Sequence, residues 1–198
     1  MPDLTKQTLR RALKARRLEL QARLPDAGET LAEKFPLKLL DRFGPHVSAY
    51  WPIGSELDPR PLMQRLHAHG ATLALPWSRP DQTMQFRVWQ PGDQLESAQF
   101  GLKQPLASAE RVTPSLILAP LLGVDTSGTR LGYGQGHYDR AVTGIRKTGR
   151  AFLCGLAYAG QVIETIPSES HDIPLDWLVT EQGSTPYFLT RTLSANSK

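Results

Sequence analysis

An unbroken apolar run followed closely by a glycine-rich segment is the feature that most constrains how this chain folds. The run is SLILAP at residues 115–120, and the segment GTRLGYGQGHYDR follows at 128–140. A short strand that is apolar at every position is typical of a parallel sheet covered on both faces. Glycine at the alternate positions Gly132, Gly134 and Gly136 indicates a loop whose backbone bends tightly or is approached closely.

The rest of the chain alternates between helical and strand-like periods. Helical segments are predicted at about 4–24, after Asp26, at 61–69 before Gly70, and at about 136–147. Strands are predicted at 46–51, 72–75 (ended by Pro76), 83–89, 115–120, 152–157 and 176–180, with a long polar excursion over 90–114. Helices that alternate with buried strands predict an open α/β sheet, which we expect to form one domain over residues 1–198.

Composition narrows the class of protein. The chain has 198 residues, of which 40% are hydrophobic and 21% charged, as expected for one soluble globular domain. The single cysteine, Cys154, excludes an internal disulfide and a thiolate metal cluster. No signal-like or membrane-spanning run is visible, so we expect the cytoplasm. The net charge of +4 permits nucleic acid or phosphate-bearing small molecules as partners.

The glycine-rich segment lies where a strand gives way to a helix, which is where ligands bind in open α/β sheets. Exposed amides at a helix start can hold an anion, and glycine lets phosphate oxygens approach. The segment is neither the dinucleotide glycine pattern nor the Walker lysine pattern, and a plain turn is the alternative. Arg130 before the glycines and the sequence Tyr138-Asp139-Arg140 after them favour a phosphate site. Asp139 suits both a helix first turn and a Mg²⁺ ligand.

Basic residues follow the leucine stripe of the first helix. On a helical wheel they fall directly beside the leucines rather than opposite them; the four are Lys6, Arg10, Lys14 and Arg17. Such a row can reach over the core edge into a cleft, or its side chains can simply extend past the core into solvent.

Carboxylates lie close to the ends of two of the predicted strands. Glu56 and Asp58 come after the strand at 46–51, and Asp58 also suits the start of the helix that contains Pro59. Asp172 and Asp176 flank Pro174 just before the last strand, where turn formation is the alternative role. Glu56 has no comparable local role, so we expect it to bind a ligand.

The order of these motifs resembles one known family. K-x-x-L-R at 6–10, Y-W-P…S-E-L-D, L-L-G-V-D…G-T-R-L-G-Y-G-Q-G-H-Y-D-R and H-D-I-P-L-D-W-L-V-T-E strongly resemble the 5-formyltetrahydrofolate cyclo-ligases, or 5,10-methenyltetrahydrofolate synthetases, over about residues 4–181. The glycine segment is the specific part. Gln135 stands where the family often has glycine, and His137 where it often has an aromatic residue.

The resemblance implies an α/β fold of three layers, Rossmann-like, with helices on both faces of a mostly parallel sheet. It also implies an ATP- and Mg²⁺-dependent reaction that converts 5-formyltetrahydrofolate to 5,10-methenyltetrahydrofolate with release of ADP and phosphate. The formyl oxygen is phosphorylated, nitrogen 10 attacks the activated carbon, and phosphate leaves. Positioning and charge neutralisation suffice for such phosphoryl transfer, so no covalent catalytic residue is expected.

The family's site residues map onto this sequence position by position. The metal ligands fall on Asp139 and Asp176, with Asp172 as the alternative second ligand, and the folate contacts fall on Glu56 and Asp58. The ATP contacts fall on Lys6, Arg10, Arg130, Leu131, Gly132, Tyr133, Gly134, Gln135, Gly136, His137 and Tyr138.

The expected partners are therefore small molecules, a reduced folate and ATP, and the expected state is a monomer that binds neither nucleic acid nor membrane. Three alternatives stay open: an ATP-binding kinase of another small molecule, a basic nucleic-acid-binding module, and a folate-binding relative that does not catalyse turnover.

Overall fold

The computed structural model describes residues 2–79, 83–98 and 101–187. The helices in this part of the chain are α1 (Pro2–Arg23), α2 (Ala27–Lys34), α3 (Lys38–Phe43), α4 (Arg60–Ala68) and α5 (His137–Thr148). The first strands are β1 (His46–Ser48), β2 (Thr72–Trp77), β3 (Gln85–Val88), β4 (Leu95–Ser97), β5 (Lys103–Pro105) and β6 (Arg111–Val112). The later strands are β7 (Leu116–Ala119), β8 (Gly123–Asp125), β9 (Arg130–Leu131), β10 (Phe152–Leu156), β11 (Val162–Ile163), β12 (Trp177–Thr180) and β13 (Gly183–Pro186).

The main sheet has eight strands in the order β13-β12-β10-β7-β1-β2-β3-β6. Its central strands β12, β10, β7, β1 and β2 are parallel, whereas β13, β3 and β6 join the edges antiparallel. Strand β7, the SLILAP run, lies near the middle and is buried at all of its residues. The predicted mostly parallel sheet is therefore confirmed, and the continuous apolar pattern reflects burial on both faces.

Helices cover both faces of this sheet, as predicted. Along β7, Leu116 and Leu118 point into a core formed with α2, α3 and α4, while Ile117 and Ala119 point into a second core with Val142 of α5. This alternation is the period of two that places successive strand side chains on opposite faces. Each fully buried leucine or isoleucine stabilises the fold by about 1.5–3 kcal/mol.

The chain leaves β1 and β7 in opposite directions. Strand β1 connects through α4 to β2 on one side, and β7 connects through α5 to β10 on the other, with the two helices on opposite faces. Because β1 and β7 are neighbours, a crevice opens at their carboxyl ends. Such a topological switch point is where open α/β sheets bind ligands.

Three local features differ from the sequence prediction or add to it. Strand β2 continues through Pro76 to Trp77, because β2 pairs with β1 only as far as Ala74 and the proline lies where fewer ladder hydrogen bonds are needed. Asp26 precedes α2 but makes no side-chain capping bond. The connector after β7 is not a plain loop: β8 and β9 form a hairpin that pairs with β11, and 90–114 contains the β4–β5 hairpin and β6.

The hairpin β8–β9 provides the surface on which α1 docks. Leu13 of α1 packs against Leu122, Leu131 and Ile166 in a small separate core. This docking carries the basic row of α1 to the carboxyl end of the sheet. Within the described residues, none of the helices has the length and apolarity needed to cross a bilayer.

Candidate active site

The glycine loop between β9 and α5 needs glycine at two of its three positions. Gly134 has φ +95° and Gly136 has φ +62°, a left-handed backbone that disfavours other residues. At Gly134 a Cβ would lie 3.1 Å from the guanidinium carbon of Arg10, whereas at Gly132 it would meet nothing within 4 Å. Helix α5 starts directly after Gly136, and no side chain caps its first amides.

Two residues of the basic row on α1 meet the loop and the segment before β12. The Nε of Arg10 donates to the carbonyl of Gly132 at 3.1 Å. The buried Lys6 ammonium lies 2.6 Å from Glu169 Oε1 and 3.0 Å from Asp172 Oδ2. Lys14, the third member, is exposed. The row thus turns partly inward, because α1 is anchored on the β8–β9 hairpin.

The pKa values of this ion pair shift in the direction of the charged forms. Burial lowers the pKa of Lys6, but its hydrogen bonds to Glu169 and Asp172 outweigh burial and raise the net pKa. Burial raises the pKa of Asp172, but the Glu169 amide and the Lys6 ammonium together outweigh burial. The net pKa of Asp172 is therefore lowered. Both groups are therefore charged at neutral pH.

Arg17 is the most buried member of the row, at 2% exposure. Its guanidinium donates to Ser55 Oγ at 3.1 Å, to the Leu121 carbonyl at 3.3 Å and to the hydroxyl of Tyr133 at 2.6 Å. It also lies 3.9 Å from Glu56 Oε1. One side chain of α1 therefore contacts the segment after β1, the segment after β7 and the glycine loop.

Glu56 is the buried carboxylate of the cleft, at 5% exposure. Its Oε1 accepts from the Tyr133 hydroxyl at 3.0 Å, and its Oε2 accepts from the Ile53 amide at 2.9 Å. Burial raises the pKa of Glu56, opposed by the Ile53 amide, Arg17 and Tyr133. Burial and the nearby Glu56 charge raise the pKa of Tyr133 to about 12.

Arg130 and Asp139 form an ion pair across the loop. Arg130 Nη2 donates to Asp139 Oδ1 at 2.9 Å, and the amide of Ile173 donates to the same oxygen at 3.1 Å. The ring of Tyr138 lies 5.5 Å from the Arg130 guanidinium carbon. Arg130 Nε is buried without a hydrogen-bond partner in the described structure. Such an orphaned donor is rare in a finished core and is common where a ligand or water binds.

The structure does not bring the two predicted metal carboxylates together. Asp176 Oδ2 accepts from the Leu153 amide at 2.8 Å and from Arg146 Nη2 at 2.6 Å, at the amino end of β12. Arg146 is in the last turn of α5 and Asp139 is in its first turn, about 10 Å apart along the axis. Ligands of one Mg²⁺ lie about 2 Å from the ion, and these contacts engage Asp139 and Asp176 near opposite ends of α5, so a metal shared by the two stays a prediction that the contacts do not support. Asp172 lies beside Ile173, whose amide contacts Asp139.

The second predicted folate residue has a local role. Asp58 accepts from the amide of Arg60 at 2.9 Å and forms an ion pair with its side chain at 2.6 Å. It therefore satisfies the start of α4, as the alternative interpretation had it. The remaining loop residues differ in exposure: Leu131 is buried beneath the loop, whereas Gln135 and His137 are exposed.

Two residues of the cleft were missed. Arg17 stood in the basic row but was not assigned to the site, although its spacing of seven from Arg10 places both on one helix face. Glu169 carried no signal of its own, since its role depends on a contact with Lys6 that is 163 residues away in sequence. Across the described residues, no cluster of three or more histidine, cysteine or acidic side chains has metal-binding geometry.

Fold and cleft together define a class: an open α/β protein with a glycine loop, converging cations and a buried carboxylate at its switch point. The model of the 5-formyltetrahydrofolate cyclo-ligase family matches residues 3–181, and the chain belongs to this family. The resemblance stated from sequence is thereby confirmed, as is the expectation of an enzyme of this type.

Individual relatives agree with this assignment. The chain is 34% identical to the 5-formyltetrahydrofolate cyclo-ligase of Mycolicibacterium smegmatis, with 91% of this chain and 95% of the relative covered. It is 28% identical to that of Haemophilus influenzae, with 86% and 94% covered. The solved structure of Aquifex aeolicus 5,10-methenyltetrahydrofolate synthetase superposes with a TM-score of 0.73 at 29% identity, with 92% of each chain covered.

Proposed function

We propose that the chain catalyses the ATP- and Mg²⁺-dependent conversion of 5-formyltetrahydrofolate to 5,10-methenyltetrahydrofolate, with release of ADP and phosphate. The family membership supports the reaction class. The observation that carries the proposal is the hydrogen bond between Tyr133 of the glycine loop and the buried Glu56. Through this bond a side chain of the glycine loop touches the carboxylate that is suited to folate. Two substrates that react directly with each other need their binding groups to be this close.

On the ATP side, the loop from Arg130 to Tyr138 surrounds the phosphates. Gly134 and Gly136 keep the backbone open, and the uncapped amides at the start of α5 donate to phosphate oxygens. Arg10 already packs against Gly134, and Lys6 lies in the same cleft. Arg130 offers an Nε that has no partner among the described residues. These cations neutralise the charge that develops on the transferred phosphoryl group.

The carboxylates fit a Mg²⁺ that arrives with ATP. Asp139 Oδ1 accepts from Arg130 and Ile173, and its Oδ2 has no donor among the described residues. Asp172 engages Lys6 through Oδ2, and among the described residues its Oδ1 faces only His171, at 3.9 Å. One or two carboxylates suffice because Mg²⁺ completes its shell with water and substrate phosphates. We assign Asp139 and Asp172 to the metal, which would neutralise phosphate oxygens during transfer.

On the folate side, Glu56 accepts hydrogen bonds from the amino group and ring N–H of the pterin, which present adjacent donors. This role needs the ionised carboxylate, which Arg17, the Ile53 amide and Tyr133 maintain against burial. Asp58 contributes to α4 rather than to the ligand, since Arg60 occupies both of its oxygens.

The chemistry proceeds in two displacements. The formyl oxygen attacks the γ-phosphorus, an O–P bond forms, and ADP leaves. Nitrogen 10 then attacks the activated formyl carbon and loses its proton, and the C–O bond breaks with departure of phosphate. The protein supplies positions and charges rather than a nucleophile.

The test is a mixture of purified protein, Mg-ATP and 5-formyltetrahydrofolate, followed by the absorbance of methenyltetrahydrofolate. We expect turnover that requires both substrates and stops with excess EDTA. Arg10→Ala and Lys6→Ala should raise the KM for ATP, while Lys14→Ala, an exposed residue of the same helix, serves as the matched control. ATP hydrolysis with another acceptor but none with this folate would show a kinase of another substrate. Folate binding without turnover would show a non-catalytic relative.

A further inference from the structure

Arg17 makes more hydrogen bonds inside the protein than phosphate binding by the glycine loop explains. Arg17 is the buried cation of α1 that faces Glu56, and its guanidinium donates in three directions, to Ser55, Leu121 and Tyr133. Only arginine has a rigid planar fork that can serve three separate acceptors in this way. The guanidinium therefore fixes the relative positions of three segments that form the cleft.

The hydroxyl of Tyr133 has a fixed direction because arginine can only donate. At 2.6 Å from Arg17 Nη2 the hydroxyl oxygen must accept, so its own hydrogen is directed to Glu56 Oε1 at 3.0 Å. The Ile53 amide holds the other carboxylate oxygen. Both oxygens of Glu56 are thus oriented, and each keeps an acceptor position for a ligand.

The charge of Arg17 also affects whether Glu56 is ionised. Arg17 from α1 and Tyr133 from the glycine loop contact its carboxylate, and its charge helps to raise the pKa of two more groups, Tyr50 in the chain after β1 and Tyr138 on α5. Of these, only Arg17 carries a positive charge. Removing it leaves a buried anion among tyrosines, a situation that favours the protonated carboxyl.

We propose that Arg17 is a positioning residue that, through Tyr133, holds Glu56 as an oriented carboxylate and ties the folate side of the cleft to the ATP loop. The predicted kinetic effect of this inference rests on the proposed function, whereas the predicted effect on the pKa of Glu56 does not. A purely scaffolding role, in which Arg17 merely anchors α1, is the alternative.

The two roles differ in what happens to Glu56 itself. If Arg17 positions and charges the carboxylate, Arg17→Met raises the pKa of Glu56, and the acidic limb of the kcat/KM profile for folate moves to higher pH. The KM for folate should rise roughly tenfold, the loss expected for one hydrogen bond to a charged group. A scaffold role would lower the melting temperature and kcat without moving the pH profile.

The experiment measures the pKa of Glu56 by NMR on protein labelled with ¹³C at glutamate carboxyl carbons, with the signal identified by its absence in Glu56→Gln. We compare Arg17→Met, Arg17→Lys and Tyr133→Phe with Arg16→Met, an exposed arginine of the same helix. Arg17→Lys keeps the charge but not the fork, so it should preserve the pKa better than Arg17→Met and still raise the KM for folate. Arg16→Met should change neither quantity.

The outcomes separate cleanly. An unchanged Glu56 pKa in Arg17→Met, whatever happens to stability, overturns the inference. If Arg17→Met does not fold, Tyr133→Phe decides, because Tyr133 is 42% exposed and the substitution removes only the hydroxyl. An unchanged Glu56 pKa and an unchanged KM for folate in that variant overturn the inference. If the wild type does not turn over 5-formyltetrahydrofolate, the proposed function fails, while the NMR measurement still tests the link from Arg17 to Glu56.

Discussion

The two ends of α5 each have an aspartate–arginine pair, and they differ in what surrounds the pair. At the first turn, Asp139 pairs with Arg130 at 2.9 Å; at the last turn, Asp176 pairs with Arg146 at 2.6 Å. In both pairs one carboxylate oxygen accepts from the arginine and from one backbone amide. Asp139 and Arg146, the members on α5, also suit the helix dipole, with the acid at the amino end and the base at the carboxyl end.

Around Asp139 there are polar groups without partners among the described residues and backbone angles that favour glycine, and folding alone explains neither. Gly134 and Gly136 adopt left-handed backbone angles, Arg130 Nε has no partner in the described structure, and the start of α5 is uncapped. Around Asp176 lie the stacked rings of Phe43 and Phe152. Strain and orphaned donors collect at functional sites, so we propose that the first end of α5 binds the ligand and that the last end is structural.

The largest expected effect is on turnover at the first end. Asp139→Asn keeps the size of the side chain and acceptors for Arg130 and Ile173 but removes the charge for Mg²⁺. We expect turnover to fall by roughly 10²-fold or more, the scale of lost electrostatic stabilisation in an active site, with a raised Mg²⁺ requirement. Steady-state kinetics with a Mg²⁺ titration measure this.

Stability should change little in that variant, by about 0.3–1 kcal/mol as for a helix-dipole charge. Asp172→Asn should show the same raised Mg²⁺ requirement. Near-normal turnover and a normal Mg²⁺ titration in Asp139→Asn would return this residue to a purely structural role.

The second effect is on stability at the other end. Asp176→Ala leaves the Leu153 amide without its acceptor, at a cost of about 1–3 kcal/mol in unfolding free energy. Arg146 adds little to this cost because its side chain is 34% exposed and can be hydrated. The kinetic constants and the Mg²⁺ requirement should stay within about twofold of the wild type. A loss of turnover with an unchanged melting temperature would place Asp176 at the metal after all.

How far the sequence predicts this molecule depends on whether a residue's role is local. The buried strand β7, the glycine loop and the helix after it were predictable because their signals lie within one segment. The choice between Asp172 and Asp176 as the second metal ligand stays a prediction, although a local signal in the sequence favours Asp172. A strand predicted to start at residue 176 puts Asp176 at its amino end, whereas ligands bind at carboxyl ends.

Long-range partners were beyond prediction. The sequence places Arg17 beside the leucine stripe, but its contacts with Tyr133 and Leu121 are 116 and 104 residues away. They depend on how α1 docks on the β8–β9 hairpin, an element that was not predicted separately from the sequence. The same docking decides that Lys6 meets Glu169 and Asp172. A residue's position on a helix was therefore predictable, and its partner was not.

The third prediction compares the glycines that flank α5. Gly136→Ala forces a left-handed backbone on alanine, at about 1–2 kcal/mol, and its Cβ would lie 2.9 Å from Arg140 Nη1. Gly149→Ala at the other end meets only the Ile145 carbonyl at 3.8 Å and is extended rather than left-handed. Chemical denaturation should show a loss for Gly136→Ala alone, with a raised KM for ATP. Equal effects of the two variants would contradict the contrast between the ends.

The smallest expected effect is the coupling between the two ends. If Asp139 and Asp176 held one ion, the double variant Asp139→Asn/Asp176→Asn would lose less than the sum of the single variants, since the second change would act on a site already lost. In the structure the two carboxylates pair with different arginines near opposite ends of α5, and distant sites without shared partners add to within about 0.3–0.5 kcal/mol. A double-mutant cycle on the activation free energy, from kcat/KM for the four proteins, should therefore give a coupling no larger than this. The cycle on unfolding free energy should be additive as well. A coupling well above that range in the kinetic cycle, with additive stabilities, would mean that both carboxylates act on one ion during turnover.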